Sequence, residues 1–154
     1  MGDRAGYCAW ALKALQEKEG FHLRRWSSVY LTEPVGFVSK NWFYNLVVEL
    51  ETAYSPWEVL LVLLTIELQA GRRRTGALAD RTLDLDLLLY GDLILETDFL
   101  ALPHPALDKR RFVLTPLTEL IPSGKHPITK ESFQNLLARL PQRPEVKKLS
   151  INLK

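Results

Sequence analysis

Apolar residues recur along this chain with two periods, and the switches between them divide it into elements. Over residues 4–18, Ala11, Leu12 and Leu15, with Tyr7 a turn earlier, form the stripe of a helix that Asp3 can cap and Gly20 can end. Phe21 to Leu31, rich in aromatic and β-branched residues, reads as a strand, and Thr32-Glu33-Pro34-Val35-Gly36 breaks it. From Phe43 to Thr52 the period is two, with Leu46, Val48 and Leu50 alternating with Val47, Glu49 and Glu51. Ser55-Pro56-Trp57-Glu58 combines a capping box with proline at the first helical position, which predicts a helix to about Ala70 with Gly71 as its stop. A strand is predicted from Thr82 to Tyr90, turned by Gly91-Asp92 into a short strand near Leu93 to Leu95. Pro103-His104-Pro105 is a rigid loop; helices are predicted over Phe112–Leu120 and Lys130–Leu140, and a last strand near Leu149 to Leu153.

Composition narrows the class. The chain has 154 residues, a length suited to one domain spanning 1–154. It is 47% hydrophobic and 25% charged, which excludes disorder as the default state. Twenty Lys and Arg against eighteen Asp and Glu leave +2, too weak a charge to imply nucleic-acid binding. Cys8 is the sole cysteine, so no internal disulfide exists and a reducing compartment fits. Met1-Gly2-Asp3-Arg4 opens no apolar signal core, and Gly6 stands where myristoylation wants Ser or Thr. The longest apolar run, Val59 to Leu64, is too short to span a bilayer. A cytoplasmic monomer without membrane or nucleic-acid partners is expected.

The order α-β-β-α-β, then a hairpin and helices, matches an α+β, ferredoxin-like sandwich with an antiparallel sheet whose first strand is missing.

The most informative segment is Arg81-Thr82-Leu83-Asp84-Leu85-Asp86-Leu87-Leu88-Leu89-Tyr90. On a strand, Leu83, Leu85, Leu87 and Leu89 face one way and Asp84 and Asp86 the other, their Cα atoms roughly 6.5–7 Å apart. Carboxylates at that spacing converge on one divalent ion or bridge two, and Mg²⁺ takes a few carboxylates with phosphate oxygens and water. The bland reading is two solvated aspartates on the wet face of a sheet. Arginines surround the segment: Arg72, Arg73 and Arg74 precede it, Arg81 opens it, and Arg110 and Arg111 follow it. Guanidinium forks match phosphate oxygens, so arginines beside paired aspartates fit a metal–polyphosphate site. Phe43 and Phe112 could sandwich a planar heterocycle whose edge the Asn45 amide reads, or could simply be core. His104 is either a phosphate donor or a turn residue. Cys8 reads as a packed thiol.

Other chemistries lack their residues. There is no P-loop, no G-x-G-x-x-G and no G-x-S-x-G, and three scattered histidines with one cysteine make no structural zinc site. The bare residues still leave three classes open: a diphosphate transferase, a two-metal nucleotidyltransferase or phosphohydrolase, and a ferredoxin-like module that binds nucleotide or a partner without turnover.

With those residues in view, the chain resembles the 6-hydroxymethyl-7,8-dihydropterin pyrophosphokinases of folate biosynthesis. The strongest match is Arg81 to Leu88; Ile66-Glu67-Leu68-Gln69, Gly71 to Arg74, Leu102-Pro103-His104-Pro105 and Arg110 to Leu117 follow the family's order. Ser28 to Gly36 and Phe43-Tyr44-Asn45 fit its pterin side. The resemblance implies a ferredoxin-like domain that transfers diphosphate from the co-substrate ATP to the pterin hydroxymethyl group, releasing AMP. It implies two Mg²⁺ ions on Asp84 and Asp86, catalytic Arg74 and Arg81, and an ATP side of Glu67, Arg72, Arg74, Arg81, His104 and Arg110. The pterin side would comprise Thr32, Pro34, Val35, Phe43, Asn45 and Phe112. The chain departs from the family pattern at its start, where a strand running into Gly-Ser-Asn-Leu-Gly-Asp-Arg is usual. It departs again in Thr75 to Asp80, where an acidic residue near the phosphates implies slower turnover.

Overall fold

The computed structural model of the chain describes residues 4–33, 42–72 and 83–151. Helix α1 (Arg4–Glu17) buries Cys8, Ala11, Leu12 and Leu15. The chain then reverses through Gly20 at φ +90°, where an added Cβ would come within 2.8 Å of the Tyr54 ring. Only glycine tolerates both the conformation and the contact. Strand β1 (Phe21–Trp26) pairs antiparallel with β4 (Val48–Thr52), Phe21 opposite Thr52 and Trp26 opposite Val48. The register shifts between Leu23 and Arg25, so two consecutive arginines face solvent. Arg24 reaches Glu51 at 2.6 Å and Arg25 reaches Glu49 at 2.5 Å.

The two long strands expected from the pattern are each divided. Beyond β1 lies β2 (Tyr30–Thr32), and before β4 lies β3 (Phe43–Asn45). Ser27, 3% exposed, sits at the break. Its N–H donates to the Val47 carbonyl at 2.8 Å, and its Oγ accepts from the Val47 N–H at 3.0 Å. A hydroxyl takes the role of a ladder carbonyl, so both strands bend at the same level. β2 lies between β3 and β7 (Val146–Lys148), both antiparallel, with Thr32 opposite Phe43 and Val146. The last strand therefore starts earlier than the expected Leu149.

Helix α2 (Pro56–Arg72) opens with the predicted reciprocal cap. The Ser55 N–H donates to Glu58 Oε1 at 2.7 Å, and the Glu58 N–H donates to Ser55 Oγ at 3.2 Å. Val59, Leu63 and Ile66 join Leu15 and Phe21 in a first core.

The segment carrying the two aspartates corrects the sequence reading. Thr82 lies outside the described residues, and Leu83 to Leu89 form no ladder with any described strand. The period of two survives in the side chains alone: Leu83, Leu85 and Leu87 pack on the first core, and Asp84 and Asp86 are exposed. Leu89, expected beside those leucines, instead packs with Leu88 on a second core of Leu107, Leu114, Leu117, Phe133 and Leu136. A strand needs a partner as well as a pattern. Nor does this segment form the expected hairpin. β5 (Leu95–Glu96) pairs with β6 (Ala101–Leu102).

The second core lies under α3 (Arg111–Leu120) and α4 (Phe133–Ala138). α4 is shorter than expected because Lys130 adopts φ 64° and Ser132 caps the helix, its Oγ accepting from the Asn135 N–H at 3.1 Å. Helices thus combine with open antiparallel sheets in an α+β architecture. Among the described residues no helix is long and apolar enough to cross a membrane.

Candidate active site

A cavity of about 1660 Å³ takes in every residue from Trp42 to Ala53 and from Leu83 to Asp92. Cys8, Leu12 and Leu15 of α1 also line it, as do Phe112 and Leu117 of α3. Burial pushes the Cys8 thiol up to about 11, so it is a packed group and no nucleophile. Six of the singled-out residues line this one space: Phe43, Asn45, Asp84, Asp86, Arg110 and Phe112.

Asp84 and Asp86 stand there as an exposed pair on a backbone held between and beyond them. In the middle, the Leu85 N–H donates to Glu67 Oε2 of α2 at 2.5 Å. Further on, the Leu88 carbonyl accepts from the His104 N–H at 2.9 Å, and the Tyr90 hydroxyl donates to the Tyr54 carbonyl at 2.6 Å. Groups from α2 and from the Pro103–Pro105 loop thus supply partners that a neighbouring strand would otherwise give. The His104 ring is held too: its Nδ1 accepts from the Ala106 N–H at 3.1 Å, which leaves Nε2 to donate.

The aromatic side is built on β3 and the start of α3. The rings of Phe43 and Phe112 meet edge to face, centroids 5.6 Å apart at 83°. They touch each other rather than facing across an open gap. The Arg110 guanidinium lies 5.5 Å above the Phe112 ring. Asn45 Nδ2 donates to the Phe112 carbonyl at 2.6 Å, and its Oδ1 accepts from the fully buried Thr32 hydroxyl. That carbonyl needs an outside donor because the residue one turn on, Pro116, has no N–H. Asn45 therefore ties the sheet to α3 and sets the height of Phe112.

Glu67, His104 and Thr32 stand behind this lining rather than in it, each bonded to a residue that shapes it. Arg72 closes α2, with its side chain outside the described residues. Arg74, Arg81, Pro34 and Val35 also lie outside them. The cavity adds Trp42 and Tyr44, which flank Phe43. The run Trp42-Phe43-Tyr44 is the available signal, and only its middle ring was expected to touch a ligand.

Two exposed carboxylates on one face, opening on a cavity that Arg110 also lines, form a donor set suited to Mg²⁺ shared with phosphate oxygens. Among the described residues no three His, Cys, Asp or Glu converge as a site built from protein ligands alone.

A sequence model of the family 7,8-dihydro-6-hydroxymethylpterin-pyrophosphokinase (HPPK) matches residues 1–122. The chain is 36% identical over 135 residues to the 2-amino-4-hydroxy-6-hydroxymethyldihydropteridine pyrophosphokinase of Aquifex aeolicus, covering 87% of this chain and 82% of that one. It is 38% identical over 120 residues to the Bacillus subtilis protein of the same name, covering 78% and 72%. It is also 36% identical over 143 residues to the folic acid synthesis protein fol1 of Schizosaccharomyces pombe, where it spans 93% of its own length and 20% of that protein's. A family match over most of the chain and bacterial relatives matched over most of theirs place it plainly: the chain belongs to the HPPK family.

Proposed function

We propose that the cavity between Trp42–Ala53 and Leu83–Asp92 holds both substrates of this pyrophosphokinase, ATP on the Asp84–Asp86 side and the pterin on the Phe43–Phe112 side. The family's reaction, in folate biosynthesis, moves the terminal diphosphate of ATP to the hydroxymethyl group of 6-hydroxymethyl-7,8-dihydropterin. The hydroxymethyl oxygen forms a bond to the β-phosphorus, the bond from that phosphorus to the oxygen it shares with the α-phosphorus breaks, that oxygen leaves on AMP and the hydroxyl proton passes to solvent. One observation carries the assignment: a carboxylate pair and an aromatic–amide group open onto one cavity. Such transfers depend on positioning and charge neutralisation rather than covalent help.

Asp84 and Asp86 would hold two Mg²⁺ ions, which when bound neutralise charge on the phosphate oxygens. Arg110, with Arg72, Arg74 and Arg81, clamps the polyphosphate, and Arg74 and Arg81 act on the transferring group. His104 donates from Nε2 to a phosphate oxygen, its other nitrogen being occupied. Glu67 positions the aspartates through Leu85. Phe43 and Phe112 stack on the pterin after parting from their present contact. Asn45, with Pro34 and Val35, reads its edge, and Thr32 orients the Asn45 amide from behind.

The finer fold assignment is a ferredoxin-like sandwich, one domain over residues 1–154, working in the cytoplasm. That plan places a strand between β4 and Leu83–Tyr90. Its support is the outer edge of β4 and the Leu83–Leu89 backbone, neither with a ladder partner among the described residues, both lining a cavity larger than a usual ligand pocket.

The test is product formation from ATP, Mg²⁺ and the pterin. Asp84→Ala and Asp86→Ala are each expected to lower AMP and pterin diphosphate release by about 10²–10³-fold with the circular dichroism spectrum unchanged. AMP released without pterin would point to a phosphohydrolase, and wild-type turnover in either variant would remove the metal assignment.

A further inference from the structure

One carboxylate ties the aromatic side of the cavity to the far end of the chain. Thr32 ends β2 opposite Val146 of β7, and the pairing continues one residue further through Glu33. The Glu33 N–H donates to the Glu145 carbonyl at 2.8 Å, and the Glu145 N–H donates to Glu33 Oε1, also at 2.8 Å. A side-chain oxygen thus takes the hydrogen that a strand carbonyl would otherwise accept. The second oxygen, Oε2, accepts from the Arg143 guanidinium. The carboxylate of Glu145 itself lies 3.7 Å from Lys147, which answers its charge. Arg143 and Glu145 both lie beyond residues 1–122, the span that the family model matches.

The other end of this connection is the pterin side. Thr32 is fully buried, and its hydroxyl donates to Asn45 Oδ1. Asn45 Nδ2 in turn donates to the Phe112 carbonyl at 2.6 Å. Every link from Arg143 to Phe112 is therefore a hydrogen bond or the peptide bond between Thr32 and Glu33.

We infer that Glu33 is a positioning residue for the pterin, a clasp by which the C-terminal segment fixes Thr32 and, through it, the Asn45 amide and the Phe112 ring. The assignment rests on the pterin placement proposed above. Glu33 stands behind the cavity lining, as Thr32 does, so it acts through its neighbours and not on substrate. Without its carboxylate the end of β2 keeps the Glu33 N–H bond but loses both side-chain links to residues 143–145, and the buried Thr32 hydroxyl loses its fixed height opposite Asn45. The segment carrying Asp84 and Asp86 is held by Glu67, His104 and Tyr54 instead, so the clasp bears on the pterin and not on ATP. Its two links are unequal. The Arg143 side chain is 74% exposed, and an ion pair open to solvent contributes little. The bond from the Glu145 N–H is the larger part.

Steady-state kinetics with each substrate varied in turn tests the clasp. Glu33→Ala is expected to raise KM for the pterin about fivefold, the effect of one hydrogen bond, with kcat, KM for ATP and the circular dichroism spectrum unchanged. Glu33→Gln and Arg143→Ala each keep an acceptor for the Glu145 N–H and lose the ion pair, so both should raise that KM by the same smaller factor, about twofold. Arg143→Ala should add nothing in the Glu33→Ala background. An unchanged pterin KM in Glu33→Ala, equal changes in the KM of both substrates, or additive effects of Glu33→Ala and Arg143→Ala would each overturn the assignment. Phe112→Leu, measured alongside, separates it from the placement it rests on. If Phe112→Leu raises KM for the pterin and Glu33→Ala does not, the clasp alone fails; if neither does, the pterin does not lie on Phe112 and both fail.

Discussion

Asn45 donates its side-chain amide to the main-chain carbonyl of Phe112 at 2.6 Å, four residues before Pro116. A proline inside α3 strands that carbonyl, and an amide from β3 answers it. Asn45→Ala should therefore cost about 1–3 kcal/mol, the range for a polar group left without a partner. Pro116→Ala restores the helical N–H, so Asn45→Ala should cost distinctly less in that background. Urea midpoints of the four proteins would give the coupling, and strictly additive effects would refute the account.

Phe43 and Phe112 touch edge to face at 5.6 Å, whereas a planar ring between parallel faces needs roughly 7 Å, two van der Waals separations. Pterin binding must then part the two rings. Phe112→Leu is expected to raise KM for the pterin by about tenfold, the loss of one stacking contact, with KM for ATP within about twofold. Equal changes in both constants would assign Phe112 to the scaffold alone.

Glu67 reaches the backbone between the two aspartates, not the cavity itself. Glu67→Gln keeps an oxygen acceptor and Glu67→Ala does not. The alanine variant should require more Mg²⁺ for half-maximal rate, by about 10-fold as for other outer residues behind a metal site, and glutamine should recover most of it. Magnesium titrations of initial rate distinguish this from a purely structural role, which would lower the melting temperature without moving the titration.

Glu119 joins α3 to the β1–β2 bend, accepting from the Tyr30 hydroxyl at 2.6 Å and from Ser28 Oγ at 2.9 Å. Burial opposes its charged form, but the hydrogen bonds from Tyr30 and Ser28 and the nearby Lys148 prevail and hold its carboxyl below the usual range. Burial and the same carboxylate raise the Tyr30 phenol far above its usual range. A carboxylate depressed on folding contributes stability fully above its unfolded pKa and loses it as pH falls through the folded value. Glu119→Gln should lower stability at pH 7 by about 0.5–1 kcal/mol, a small figure because the site is exposed. The gap between the two proteins should close as pH falls below the usual carboxylate range. Thermal melts from pH 7 to 3 would check it, and a constant gap would exclude the linkage.

Much of the architecture followed from local signals in the chain. The Ser55–Glu58 cap, the start of α3 and the reversal at Gly20 depend on neighbours within a few residues, where side-chain type alone decides which backbone donors are met. The same holds for the outward Asp84–Asp86 face, which needs only the period of two. Which side chains share the cavity is a different kind of fact. Phe43 and Phe112 are far apart in the chain, and only packing of β3 on α3 brings their rings together edge-on. Glu67 and Leu85 show the limit most clearly: composition marks a carboxylate and a strand-like run, but whether that carboxylate meets a phosphate or a backbone N–H depends on where α2 lies. Leu83 to Leu89 carry the pattern of a strand without being one in the described structure, since a ladder is a property of two chain segments. The apolar back of α2 was equally present in the letters. Which apolar side turns inward was decided by folding, which buried Val59, Leu63 and Ile66 and left Leu61 and Leu64 facing solvent, because a helix with apolar residues on two sides can turn only one of them to its own core.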